Sequence, residues 1–104
     1  MMSALRLSED TVALFMRLLI AGHITRPVAR GFVAPWVEGD LPSSALAHSG
    51  AQYVHGFDLV GDWAGRVWHA TSLGDDHEYL IGRDELVRRC ETWLERYQLT
   101  QHPQ

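Results

Sequence analysis

The chain has one cysteine, no lysine and no asparagine. A lone cysteine excludes an internal disulfide framework and a zinc site built from several cysteines, so we expect a reducing compartment, the cytoplasm. All nine basic residues are arginines. Because lysine and asparagine codons are rich in A, their joint absence indicates a GC-rich coding sequence and hence a bacterial source. Cys90 falls on the apolar stripe of a predicted helix, which is typical of a buried structural cysteine.

Long apolar runs are missing as well. The longest, residues 12–21, is about half of the ~20 residues that a membrane-spanning helix requires, and Arg17 interrupts it. Glu9 and Asp10 precede this run, whereas a secretory signal carries positive charge there. We therefore expect no membrane span and no secretory signal.

Several motifs that carry chemistry are also absent. The nine glycines are scattered, and none forms the Gly-x-Gly of a phosphate-binding loop. The sequence has no Gly-x-Ser-x-Gly nucleophile motif and no His-Glu-x-x-His zinc motif. We therefore expect no cofactor and no metal, and we assign no catalytic residue.

The length and composition match one ordinary globular domain. The chain has 104 residues, of which 46% are hydrophobic and 21% are charged. We expect a single domain over residues 1–104, with an ordered core at 4–99. The two ends, 1–3 and 100–104, have little to pin them and are expected to be flexible.

The first helix has signals at both ends. Ser8 is a suitable N-cap, Leu7 and Val12 occupy the two positions of a hydrophobic staple, and Gly22 is a typical helix end. Nearly every residue after the first turn is apolar, so helix 9–21 is expected to be buried on most sides. In a chain this short, that pattern predicts a central helix or one half of a homo-oligomer interface.

Prolines and glycines interrupt residues 23–52, which argues against one long element there. Pro27 can open a short helix that continues to Ala34. The segment 31–37 could instead form an edge strand, where a proline is tolerated, and the sheet would then gain a strand. We favour the helix for this segment.

A second short helix is predicted from Asp40, as its cap, to His48, with Gly50 as its stop. Arg26 and Arg30 could share one face of the preceding helix, as in a DNA-binding helix. Two arginines on a chain with a net charge of −4 are too few to follow a phosphate backbone. We therefore expect no nucleic-acid binding.

A β-meander is predicted over 53–60, 66–71 and 77–81, separated by turns rich in glycine and aspartate. An amphipathic helix follows over 83–97. Its apolar stripe comprises Leu86, Cys90, Trp93, Leu94 and Tyr97. The predicted fold class is therefore α+β, with a three-stranded or four-stranded antiparallel meander packed against an N-terminal and a C-terminal helix.

Histidines and carboxylates cluster around the predicted meander. His55 and His69 could lie on one face of adjacent strands and, with a carboxylate, form a metal site or an acid–base pair. Their spacing is not diagnostic, because aspartates are common in turns for backbone reasons alone. We prefer two half-buried histidines bonded to their neighbours, and a His/Asp metal-dependent or acid–base enzyme is the second alternative.

Tryptophans and aspartates lead to the favoured function. Trp63 lies in a predicted turn, where burial is difficult, and exposed tryptophans are favoured at binding hot spots. With nearby aspartates it predicts a non-enzymatic binding protein, of the immunity or inhibitor type, that masks a basic partner protein. The residues of this predicted acidic face are Trp36, Asp58, Asp62, Trp63, Asp75 and Asp76.

A ligand pocket between the sheet and the helices is the first alternative. Aromatic side chains would line it, and they would bind a small molecule instead of a protein. A ligand screen should then shift the melting temperature, whereas an inhibitor of a protein should not respond. The residues of this predicted pocket are Tyr53, His55, Phe57, Trp68, His69 and Tyr79.

Overall fold

The computed structural model describes residues 6–39, 41–61, 64–70 and 79–101. The elements in chain order are α1 (Glu9–Ala21), α2 (Arg26–Val37), α3 (Ala45–Gly56), β1 (Leu59–Gly61), β2 (Val67–His69) and α4 (Arg83–Gln101). Within the described residues, four helices and one two-stranded antiparallel sheet form a small α+β domain. The predicted fold class is confirmed at this level, but the three or four predicted strands are not.

Helix α1 has the ends that the sequence predicts. The Ser8 hydroxyl accepts a hydrogen bond from the amide of Thr11 at 3.1 Å, which satisfies one of the free amides of the first turn. Gly22 closes the helix with φ of 77°, a left-handed conformation that glycine adopts without a Cβ penalty. The buried residues of α1 are Val12, Ala13, Phe15, Met16 and Leu19. The core of a single chain therefore accounts for most of its apolar character, and a homo-oligomer interface stays a prediction.

Helix α2 confirms the helical prediction for the segment that Pro27 opens. Oγ1 of Thr25 accepts a hydrogen bond from the amide of Val28 at 3.4 Å. Pro27 lies in the first turn, where its missing N–H has no helical partner to lose. The helix continues to Val37, so the alternative of an edge strand at 31–37 is wrong.

Helix α3 starts and ends later than the sequence predicts. Its N-cap is Ser44, whose hydroxyl accepts a hydrogen bond from the amide of Ala47 at 3.1 Å. The predicted cap, Asp40, lies outside the described residues. Because the helix ends at Gly56 and β1 begins at Leu59, the prediction of a strand over 53–60 is wrong at residues 53–58.

Gly50 lies inside α3, although its context predicts a helix stop. A Cβ built on Gly50 would lie 2.6 Å from Cγ1 of Val12 and 2.7 Å from Nε1 of Trp93. The missing side chain therefore lets α1 and α4 approach α3 closely. The buried residues of α3 recur at helical spacing: Ala47, Gly50, Ala51 and Val54. This three-and-four repeat outweighs the short alternating pattern that predicts a strand from Tyr53 onwards.

The sheet is smaller than predicted. Strands β1 and β2 pair antiparallel, with Leu59 opposite His69 and Val60 opposite Trp68. On the other side of β1, Tyr79 forms an isolated antiparallel bridge to Val60. Residues 71–78 lie outside the described residues, and in the described part of the chain the third predicted strand amounts to this bridge.

Helix α4 closes the core with the predicted stripe. Leu86, Cys90 and Trp93 are fully buried, and the Trp93 indole donates a hydrogen bond to the carbonyl of Leu46 at 2.9 Å. The helix continues to Gln101, so residues 100–101, predicted within a flexible end, are helical. In the described part of the chain, no helix is both long and apolar enough to cross a membrane.

A buried arginine of α2 is hydrogen-bonded to the chain segments on either side of the sheet. Arg26 donates from Nη1 to the carbonyls of Phe57, at 3.0 Å, and Ile81, at 2.6 Å. Its guanidinium carbon lies 4.1 Å from the ring centroid of Tyr79. Helix α2 is thereby joined both to the entry of β1 and to the segment before α4.

Candidate functional site

Asp58 does not lie on the predicted acidic face. The side chain of Asp58 is fully buried, so the placement of this aspartate on a binding surface is corrected: it is an internal ion-pair partner. Trp36 is partly buried against the hydrophobic core. The other four residues of the predicted face lie outside the described residues: Asp62, Trp63, Asp75 and Asp76.

The six residues of the predicted pocket differ in burial and in location. Phe57 is fully buried, whereas Tyr53 and Trp68 are exposed by 38% and 46%. Tyr79 lines a cleft of about 290 Å³ with Arg26, Arg83 and surrounding apolar residues of α1 and α4. None of the other five predicted pocket residues lines this cleft. The two histidines, His55 and His69, instead contact each other at a different site.

Asp58 lies at the centre of that site. Its Oδ2 accepts a hydrogen bond from Nε of Arg30 on α2 at 2.7 Å. Its Oδ1 is hydrogen-bonded to Nδ1 of His69 on β2. The buried carboxylate therefore joins helix α2 to the hairpin β1–β2 with both of its oxygens occupied, as a buried charge requires.

A second histidine–carboxylate pair lies beside the first. Nε2 of His55, in the last turn of α3, lies 2.6 Å from Oε2 of Glu38, the C-cap of α2. The rings of His55 and His69 meet edge to face with centroids 4.7 Å apart. Nη1 of Arg30 lies 3.7 Å from Glu38, so the two pairs form one contiguous group. We call Arg30, Glu38, His55, Asp58 and His69 the histidine cluster.

The contacts of the histidine cluster change the acidity of Glu38. The hydrogen bond from His55 is the largest cause that lowers the pKa of Glu38 below its ordinary value of 4.5, with smaller contributions from the nearby positive charge. One guanidinium and two imidazoles thus lie against two carboxylates.

Neither metal binding nor cysteine chemistry is indicated by the geometry. Among the described residues, no three His, Cys, Asp or Glu side chains are arranged to hold a metal ion. Burial raises the pKa of the Cys90 thiol to about 12, so Cys90 is a thiol and not a nucleophilic thiolate at neutral pH. The histidine cluster is the described group in which imidazoles lie against carboxylates.

Exposed apolar side chains lie on both faces of the hairpin and beside it. Val67 and Trp68 of β2 are exposed by 53% and 46%, and Leu80 by 54%. Leu80 and Val67 both approach Gly61 of β1, since a Cβ built there would lie 3.0 Å from Leu80 and 3.9 Å from Val67. Val67 and Trp68 are successive residues of β2, so their side chains lie on opposite faces of the hairpin, with Leu80 on the face of Val67. We call the exposed apolar residues of both faces, Val67, Trp68 and Leu80, the hairpin surface.

Sequence reasoning identified some of these residues with other roles. It assigned His55, His69 and Trp68 to a pocket and Asp58 to a surface, and it missed Glu38. The i,i+4 spacing of Arg26 and Arg30 was the available signal, because it places both guanidinium groups on one face of a helix. In the structure this face contacts Phe57 and Asp58, which lead into β1.

No protein-family model, curated protein or solved structure matches this chain significantly.

Proposed function

We propose that the protein binds and masks another protein through the hairpin surface. The observation that carries this proposal is the 46% exposure of Trp68 on a hairpin whose other face also exposes Val67 and Leu80. Exposed apolar groups of this kind mark interaction sites, and tryptophan is enriched among the residues that dominate binding energy. This anchor differs from Trp63, which the sequence favours and which lies outside the described residues.

The proposed partner is a basic protein. The chain carries a net charge of −4, and electrostatic complementarity accelerates the encounter of an acidic protein with a basic one. Asp62, Asp75 and Asp76 lie in chain segments adjoining the hairpin strands and belong to this proposal as the predicted acidic rim. An inhibitor of the immunity type would work in this way, by steering and then covering a basic surface.

The test is capture of the partner from the native host at two salt concentrations, followed by affinity measurement with the purified partner. Trp68→Ala is expected to weaken binding by more than ~1 kcal/mol if Trp68 is a hot spot. Leu99→Ala is the matched control, because Leu99 is 73% exposed on α4 and outside the hairpin surface. Equal affinities of the two variants would remove the hairpin surface from the interface.

Self-association through α1 is proposed alongside this function. The outer side of α1 presents Leu14, 54% exposed. Phe32 of α2, 58% exposed, contacts Phe15 with ring centroids 4.6 Å apart. A second copy of the chain could cover these side chains. Sedimentation equilibrium should show a dimer that the pair of substitutions Leu14→Ser and Phe32→Ser dissociates; a monomeric wild-type chain at all concentrations would refute it.

A further inference from the structure

The cleft beside Tyr79 has no part in the proposed partner surface. It lies between the end of α1, the start of α2 and the start of α4, and its volume is about 290 Å³. None of its lining residues belongs to the hairpin surface. Small-molecule sites occupy about 300–1,000 Å³, so the cleft has the size for a small ligand.

The charge of the cleft is positive. Two guanidinium groups line it, Arg26 of α2 and Arg83 of α4. An arginine side chain keeps its charge in proteins at any physiological pH. Among the described residues, no aspartate, glutamate or histidine lines the cleft. The cleft therefore favours an anion, although the whole chain carries a net charge of −4.

Arg83 lies on the exposed side of the cleft with hydrogen-bond donors to spare. Its Nη1 donates to the carbonyl of Leu19 at 2.8 Å, and its Nη2 donates to the carbonyl of Ile20. A guanidinium has five N–H groups, and these two bonds use one hydrogen of each Nη. The two bonds thus fix the position of the group at the end of α1, while other N–H groups can donate to a ligand.

Arg26 contributes charge from the buried side of the cleft. It is 9% exposed, and its Nη1 donates to the carbonyls of Phe57 and Ile81. These carbonyls orient the guanidinium but carry no net charge that would cancel its own. Coulomb attraction is stronger in a poorly hydrated site than in water. The charge of Arg26 therefore acts on an anion in the cleft without a direct contact.

The other walls of the cleft are mainly apolar. Leu19 and Leu86 are buried, whereas Ile24 and Tyr79 are half-buried. Thr25, the N-cap of α2, adds a hydroxyl that can donate a hydrogen bond, at the end of a helix where negative charge is favoured. The cleft thus combines positive charge and a few donors with apolar surface for a hydrocarbon group.

We propose that this cleft binds a small carboxylate that carries an aromatic or branched aliphatic group. The carboxylate contacts Arg83 and Thr25, and the apolar group packs against Leu19 and Leu86. The two oxygens of a carboxylate match the donors of one guanidinium and one hydroxyl. Inorganic phosphate has four oxygens to satisfy and no apolar group, so it fits this lining less well.

The first test titrates the wild-type chain with benzoate as the probe, at constant ionic strength, and follows the backbone amides by NMR. A Kd on the order of 1 mM is expected for a ligand of this size. The largest shift changes should fall at the amides of Gly22, Thr25 and Arg83. Benzyl alcohol, which keeps the ring and lacks the charge, should bind at least about fivefold more weakly.

Three results of this titration would overturn the proposal. The first is the lack of a saturable shift change at those three amides. The second is equal binding of benzoate and benzyl alcohol, which would show that the positive charge does not recognise the ligand. The third is displacement of benzoate by inorganic phosphate at the same ionic strength, which would refute the preference for a carboxylate.

The second test compares two arginines of α4. Arg83→Gln is expected to weaken benzoate binding at least about fivefold, and Arg83→Lys should retain more affinity because it keeps the charge. Arg96→Gln is the matched control, since Arg96 is exposed on the same helix and does not line the cleft. Equal benzoate affinities of Arg83→Gln and Arg96→Gln would contradict the proposal. Circular dichroism must show that Arg83→Gln folds; if it does not, the wild-type titration decides.

Discussion

The close approach of three helices at Gly50 can be tested by the substitution Gly50→Ala. The added Cβ would lie 2.6 Å from Cγ1 of Val12 and 2.7 Å and 2.8 Å from Nε1 and Cε2 of Trp93. Real Cβ atoms essentially never approach other heavy atoms within 3.0 Å. Val12 and Trp93 are both fully buried, so neither can move into solvent to make room.

The change that Gly50→Ala makes in the free energy of unfolding is the balance of three contributions. Overpacking a core costs about 1–3 kcal/mol. Displacing Trp93 also threatens its 2.9 Å hydrogen bond to the carbonyl of Leu46, and an unpaired buried donor costs about 1–3 kcal/mol. Alanine is better than glycine in a helix by up to about 1 kcal/mol. We expect Gly50→Ala to lower the free energy of unfolding by roughly 3 kcal/mol, within a range of about 1–5 kcal/mol.

Gly31→Ala is the matched control. Gly31 also lies inside a helix, α2, but no atom lies within 4 Å of a Cβ built there. Only helix propensity then changes, so the free energy of unfolding of Gly31→Ala should rise by up to about 1 kcal/mol. Urea denaturation followed by far-ultraviolet circular dichroism measures both changes. If Gly50→Ala were stabilised like Gly31→Ala, the packing of α3 against α1 and α4 would be refuted.

Three further predictions concern buried or paired groups. Burial raises the pKa of the Cys90 thiol from 9.0 to about 12, so the unfolded chain loses this proton at a lower pH than the folded chain does. The stabilising effect on the free energy of unfolding is therefore complete below pH 9. It is lost as the pH rises towards 12, by up to about 1.4 kcal/mol per pH unit. Denaturation at several alkaline pH values should show this slope in the wild type and a smaller slope in Cys90→Ala. His55→Gln should return the lowered pKa of Glu38 towards 4.5, as carbon-13 NMR of the carboxyl can measure; no change would show that the His55–Glu38 hydrogen bond is absent. Arg26→Met leaves the carbonyls of Phe57 and Ile81 without their donor and should cost about 3 kcal/mol or more in the same urea assay, whereas the exposed Arg88→Met should cost less than about 1 kcal/mol. Equal losses for these two arginines would contradict the buried role of Arg26.

The helix ends that local chemistry determines could be predicted from the sequence. Ser8 and Gly22 delimit α1 through one cap hydroxyl and one left-handed glycine, and both effects act within a few residues. The apolar stripe of α4 was equally readable, because Leu86, Cys90 and Trp93 recur at helical spacing.

Predictions failed where distant contacts decide the structure. Gly50 is a helix stop by local preference, but its contacts with Val12 and Trp93 make it a packing position. Asp58 resembles a surface aspartate near a turn, and its partners Arg30 and His69 lie 28 and 11 residues away in the chain. Such pairings arise from the tertiary fold, so neither periodicity nor turn composition reveals them.

The most direct test of the proposed function is the affinity of Trp68→Ala for the captured partner, measured beside Leu99→Ala at low salt. We expect Trp68→Ala to weaken binding more than about fivefold, the equivalent of ~1 kcal/mol, and Leu99→Ala to leave it unchanged. Raised salt should slow the association of all variants. Unchanged binding by Trp68→Ala, or the failure of the wild-type chain to retain any stoichiometric partner, would contradict a binding function at the hairpin surface.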